Sequence, residues 1–86
     1  MWYLYIVKCK DSSLYTGISK NVKDRVLAHN NGKGSKYTRN RKPVELIYTE
    51  EFGTKSEALK REIGIKKLSA KNKDRLVRKK EKYRLG

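Results

Sequence analysis

Five side chains able to do acid–base, cationic or metal-binding chemistry follow one another along this chain: Tyr5, Tyr15 with Thr16 and Gly17 behind it, Arg25, His29 and Glu62. Two phenols can hold or pass protons, a guanidinium can stabilise a developing anion, an imidazole titrates near neutrality, and a carboxylate can grip a hard cation. Each also has a bland explanation. Tyrosines pack well in strands, a lone histidine is more often structural than reactive, and one arginine says little in a chain with 23 Lys+Arg against 9 Asp+Glu. Glu62 could be half of an i,i+4 ion pair with Lys66.

Spacing narrows the choice. Val22, Arg25, Val26 and His29 fall at i, i+3, i+4 and i+7, so a helix through them aims Arg25 and His29 together at whatever Val22 and Val26 pack against. Ala58, Leu59, Glu62 and Ile65 share half of another helical wheel, which turns the carboxylate toward the core side. An ionised carboxylate is costly to bury unpaired, so a positive partner must meet it. Lys66 and a metal ion both satisfy that requirement.

The net charge of +14 calls for a polyanionic partner: DNA, RNA or an anionic membrane. A chain of 86 residues makes one domain spanning 1–86, because it buries only about 60–65% of its unfolded surface and has no material for a second core. The single Cys9 excludes an internal disulfide and a multi-cysteine zinc site, and fits a reducing, cytoplasmic setting. No run approaches the roughly 18 apolar residues of a membrane span, and Met1 leads straight into a strand without a basic leader, so a soluble, unprocessed monomer is expected. There is no Cys/His cluster, Ser/His/Asp set, Walker-type glycine loop or His-Glu-x-x-His, so hydrolytic schemes that need those are out.

The elements that must position these groups read as follows. Residues 2–7 are apolar on both alternating faces, as in a central strand covered on two sides; 14–18 form a second strand, joined to the first by a polar turn as an antiparallel hairpin. Ser19 or Asn21 caps a helix that Asn30-Asn31-Gly32 ends. Residues 32–43 form a mobile basic loop carrying Lys33, Lys36, Tyr37, Arg39, Arg41 and Lys42, which unites phosphate-neutralising charge with an aromatic able to stack on a base. Residues 44–49 form a third strand, and Thr54-x-x-Glu57 is a capping box opening a helix to about Leu68. Ser69 caps a last helix from Ala70 to about Lys80, and eight basic residues lie between Lys71 and Arg84. The order ββαβαα predicts an α+β fold: a three-stranded antiparallel sheet with helices on both sides.

With these residues in view, the chain resembles the GIY-YIG endonuclease superfamily, in particular its small stand-alone bacterial branch. Leu4-Tyr5-Ile6 is similar to the first triplet and Tyr15-Thr16-Gly17 to the second, with Gly17 as the structural glycine, Arg25 and His29 on the following helix and Glu62 on a later one. The Gly-x-Gly-x-x-Tyr-Thr-Arg stretch from Gly32 to Arg39 and the Ile65-Lys66-Lys67-Leu68-Ser69 run resemble the stand-alone branch. Leu4 and Thr16 depart from the name-giving glycine and isoleucine, and Ile18 stands where some DNA-repair relatives carry a lysine, leaving Lys20 or Lys66 as the assisting cation. Asn72 is the nearest match to a late family asparagine.

The resemblance implies hydrolysis of a DNA phosphodiester with one divalent ion, Mg²⁺ or Mn²⁺, anchored by Glu62. Tyr5 would take the water's proton with Tyr15 assisting, and Arg25 and His29 would stabilise charge at phosphorus. Lys33, Lys36, Tyr37, Arg39, Arg41, Lys66 and Lys67 would hold the nucleic acid, and a protein partner would supply targeting. A non-catalytic nucleic-acid-binding module on the same fold is the alternative, and membrane-surface association through the last helix is a third reading.

Overall fold

A computed structural model describes the backbone of residues 1–85 and the side chains of residues 1–79. Its elements are β1 (Trp2–Lys8), β2 (Leu14–Ser19), α1 (Val22–Asn30), α2 (Lys36–Arg39), β3 (Glu45–Phe52), α3 (Lys55–Lys66) and α4 (Ala70–Leu85). The sheet is three-stranded and antiparallel, in the order β2-β1-β3. β1 therefore lies in the middle, as its two apolar faces require.

Those faces feed two cores. Leu4 and Ile6 are buried with Tyr48, Ile65 and Val77, so α3 and α4 cover one side. Tyr5 and Val7 are buried with Cys9 and Val44, and Val22 and Val26 bring α1 onto the other side. Helices on both faces are what the sequence predicts, and burial of this apolar surface, at about 25 cal/mol per Å², is the main force holding the layers together.

Local chemistry sets the ends of the helices. The Asn21 side chain accepts from the Asp24 N–H at 3.1 Å, so Asn21 is the cap of α1, while Ser19 holds the Asn21 backbone from either side. Thr54 caps α3 by accepting from Glu57 N–H at 3.2 Å, and Ser69 caps α4 by accepting from Asn72 N–H at 3.2 Å. Gly32, at φ +76°, takes the left-handed conformation that closes α1 cheaply only for glycine.

Three expectations need correction. The segment 32–43 is not an unstructured basic loop: Ser35 caps the single turn of α2, and the chain returns through a cis Lys42–Pro43 bond. β3 runs on to Phe52 rather than ending at Thr49, because Glu50, Glu51 and Phe52 continue the ladder opposite Leu4, Tyr3 and Trp2. α4 extends to Leu85, past the expected end near Lys80.

Candidate active site

Tyr5 is the centre of the site. Its ring lies over Gly17, its cross-strand partner, where a Cβ would come within 2.6 Å of the phenol oxygen and 2.7 Å of Cζ. Only glycine leaves the ring that space. The phenol oxygen meets His29 Nε2 at 2.8 Å, and His29 Nδ1 meets Thr38 Oγ1 at 2.8 Å. Tyr5, His29 and Thr38 are all essentially inaccessible to solvent. Tyr15 closes on His29 edge-on, with ring centroids 5.3 Å apart.

Arg25 sits one turn before His29 on the inward face of α1. Its Nη2 donates to the Gly34 carbonyl at 3.1 Å, and its positive charge acts on the Tyr5 phenol. Burial pushes the Tyr5 phenol above its usual pKa; the Arg25 guanidinium works against that, and Tyr15 and Glu62 add to it. Burial, helped by the positive charge of Arg25, holds His29 below its usual value, so the ring is neutral at pH 7.

Glu62 arrives from the far helix. Ala58 and Ile65 are buried, and Arg61 grips Glu50 of β3 with two hydrogen bonds of 2.8 and 3.0 Å, so α3 is fastened to the sheet on either side of Glu62. Glu50 is also bonded to the Tyr48 hydroxyl, whose pKa is pushed up to about 12 by burial and that carboxylate. Held this way, the Glu62 side chain is 17% exposed and lies close enough to Tyr5 for its charge to act on the phenol. Its Oε2 is 3.6 Å from Lys66 Nζ, so the i,i+4 pair allowed by the sequence is present as well. Among the described residues no three His, Cys, Asp or Glu side chains gather into a metal cage. A lone, partly buried carboxylate still fits Mg²⁺ or Mn²⁺, hard cations that take oxygen ligands and retain several waters.

The basic positions divide into two groups. Lys33, Lys36, Arg39 and Lys67 are exposed, and so is Lys66, although it pairs with Glu62. Arg41 is already engaged: it pairs with Asp11 at 3.1 Å, donates to the Tyr37 carbonyl at 2.8 Å, and lies 4.0 Å from the Tyr37 ring centroid. Tyr37 in turn stacks on Tyr15 with centroids 5.8 Å apart and is itself exposed, so it extends the site's aromatic cluster to the surface. Asn72 is exposed in the first turn of α4, with its N–H taken by the Ser69 cap.

Sequence reasoning placed Gly34 and Thr38 in the Gly32–Arg39 stretch but gave neither a role. A Cβ on Gly34 would fall 1.9 Å from His29 Nδ1, so the loop can close over the imidazole only with glycine there. The pattern Gly34-Ser35-x-x-Thr38 was the available signal, since a serine capping a turn places the residue three positions on at a fixed point. A groove of about 770 Å³ also opens between the β1–β2 turn and α4, lined by Lys8, Tyr37, Lys71, Lys73 and the ion-paired Asp74 and Arg78 among others.

Comparison with known proteins agrees with this fold. The sequence model of the GIY-YIG catalytic domain matches residues 1–75. A UPF0213 protein of Staphylococcus saprophyticus is 59% identical over 75 residues, covering 87% of this chain and 92% of that protein. The solution NMR structure of a UPF0213 protein from Bacillus halodurans has a TM-score of 0.58 at 46% identity, over 90% of this chain and 83% of that one. An NMR structure of a protein from E. faecalis has a TM-score of 0.61 at 41% identity, over 98% and 86%. The motif residues and the match over most of the chain agree: it belongs to the GIY-YIG catalytic-domain family of nucleases.

Proposed function

We propose that the chain is a divalent-metal-dependent endonuclease that hydrolyses phosphodiester bonds in DNA, acting on branched or interrupted structures in cytoplasmic repair or recombination. One observation carries this reading: the buried Tyr5 oxygen meets the His29 imidazole at 2.8 Å while the charges of Arg25 and Glu62 act on the same phenol. A phenol is a poor base unless its anion is favoured; burial disfavours the Tyr5 anion, and Arg25 is the group that works against that.

In this scheme Tyr5 accepts the proton of the attacking water, and Arg25 stabilises the charge that builds on the phosphate oxygens. His29 stands behind Tyr5, with both ring nitrogens already engaged, and so acts on the phenol rather than on phosphorus. Glu62 would hold Mg²⁺ or Mn²⁺, which when bound supplies Lewis-acid charge at the phosphate being cut. The exposed Lys33, Lys36, Arg39 and Lys67 would grip the backbone without reading sequence, and the α4 groove would extend that grip past Tyr37. A protein partner would supply targeting.

The test is cleavage of branched, nicked and duplex DNA with Mg²⁺ or Mn²⁺. Glu62→Gln and Arg25→Ala should each lower the rate by about 100-fold or more. Activity that survives either change would discredit the scheme. The Glu62–Lys66 ion pair favours one rival, a binding module without catalysis. That rival predicts salt-dependent DNA binding with no cutting under either metal.

A further inference from the structure

The buried chain Tyr5, His29, Thr38, Ser35 has a direction, which can be found by counting protons. The phenol has one proton of its own to place, and the acceptor standing 2.8 Å away is His29 Nε2. If Nε2 accepts, the neutral ring carries its proton on Nδ1 and donates it to Thr38 Oγ1 at 2.8 Å. The Thr38 hydroxyl then sends its hydrogen to the Ser35 carbonyl, which lies 3.3 Å away and can only accept. Every donor in this arrangement finds an acceptor.

The reverse direction leaves a loose end. With Thr38 donating to Nδ1 and Nε2–H donating to Tyr5, the Ser35 carbonyl would lose the Thr38 hydrogen, and the phenol's own hydrogen would have to point away from the imidazole, with no acceptor for it in the hydrogen bonds among the described residues. A hydroxyl in that orientation offers the water a proton instead of a lone pair.

We infer that Thr38 is a positioning residue: by accepting the Nδ1 proton it holds His29 in the Nδ1–H tautomer, so that Tyr5 donates inward to Nε2 and presents its lone pair to the reacting water. The surroundings enforce the contact. Gly34 lets the loop lie against the ring, the Ser35 cap fixes the turn through Thr38 N–H at 3.2 Å, and the neutral imidazole is free to accept.

During cleavage the water oxygen bonds to phosphorus while its proton passes to the Tyr5 oxygen. Tyr5's own proton moves to Nε2. The bond from phosphorus to the leaving oxygen breaks with its electron pair, and solvent protonates the alkoxide. This consequence rests on the nuclease reading; the tautomer itself does not.

The chain has a single histidine, so a long-range ¹H–¹⁵N spectrum of the full-length protein reports its tautomer without ambiguity. Wild type is expected to show a protonated Nδ1 and a bare Nε2. Thr38→Val removes the acceptor at nearly constant shape and should move the ring toward Nε2–H, lowering kcat about tenfold or more with KM little changed. Thr38→Ser, which keeps the hydroxyl, should restore both. A wild-type ring protonated on Nε2, or a Val variant with an unaltered tautomer, would overturn the inference. Should Thr38→Val fail to fold, the wild-type and Ser spectra still decide. If the tautomer moves as expected while no variant cuts any substrate, the nuclease reading falls and the positioning role stands.

Discussion

Adding one methyl group at Gly34 should damage this protein more than almost any other single-carbon change. In Gly34→Ala the new Cβ would sit 1.9 Å from His29 Nδ1 and 2.5 Å from its Cγ, roughly 1.5 Å short of ordinary contact. The imidazole cannot yield, since it is fully buried between Tyr5 and Thr38, so the loop must lift. Lifting breaks the Arg25 bond to the Gly34 carbonyl and pulls Thr38 from the ring. Overpacking costs about 1–3 kcal/mol, and the two hydrogen bonds add about 1 kcal/mol each, somewhat more for the charged one. The sum is about 3–5 kcal/mol against a total of about 4–13 kcal/mol for a chain of this size. Each kcal/mol moves the melting temperature by about 4–8 °C, so a fall of at least about 12 °C is expected in a far-UV circular dichroism melt. Gly64→Ala is the matched control. That methyl meets nothing within 4 Å on helix α3 and should stabilise the protein by about 0.5–1 kcal/mol through helix propensity. A Gly34→Ala protein melting within a few degrees of wild type would refute the placement of the loop on His29.

Two further outcomes follow from buried groups. The Thr16 hydroxyl is buried and unpaired among the described residues, so Thr16→Val should raise stability by about 1 kcal/mol in chemical denaturation, and a loss would mean that the hydroxyl has a partner. His29 is held below its unfolded pKa of about 6.5 by burial and Arg25, so as pH falls through that value the unfolded chain takes up a proton that the folded one refuses. Stability is therefore complete above the unfolded pKa and declines as pH drops toward the lower folded value. Urea midpoints at pH 7 and 5.5 should show that decline in wild type and a flatter response in His29→Asn, and identical slopes would remove His29 as the cause.

The sheet and its flanking helices were readable because the two apolar faces of residues 2–7 and the caps at Asn21, Thr54 and Ser69 are local signals. The turn at α2 was not. It is one turn long, below the length at which periodicity can speak, and it is held by contacts from elsewhere: Thr38 to His29, and Arg41 to Asp11 of the β1–β2 turn. The extra residues of β3 were hidden for a similar reason, since Glu50 reads as a loop residue until Arg61 is brought against it. Sequence order named Tyr5 and four further groups, of which His29 is bonded to the phenol and Tyr15 packs on His29, and it left Glu62 undecided between Lys66 and a metal. The structure holds the Lys66 pair at 3.6 Å while the Glu62 charge still acts on the Tyr5 phenol.

Because β1 is apolar on both sides, alternation alone gives it little reason to prefer one alignment against β2. The hollow at Gly17 supplies the reason. Sliding β1 by two positions would set the bulky Tyr5 ring over Tyr15 or Ser19, where a side chain already fills the space. The absent methyl at Gly17 thus works as a key for strand alignment, and a chain that zips up out of step cannot assemble the phenol, imidazole and guanidinium group at all. Folding fidelity and reactivity are screened by the same missing atom.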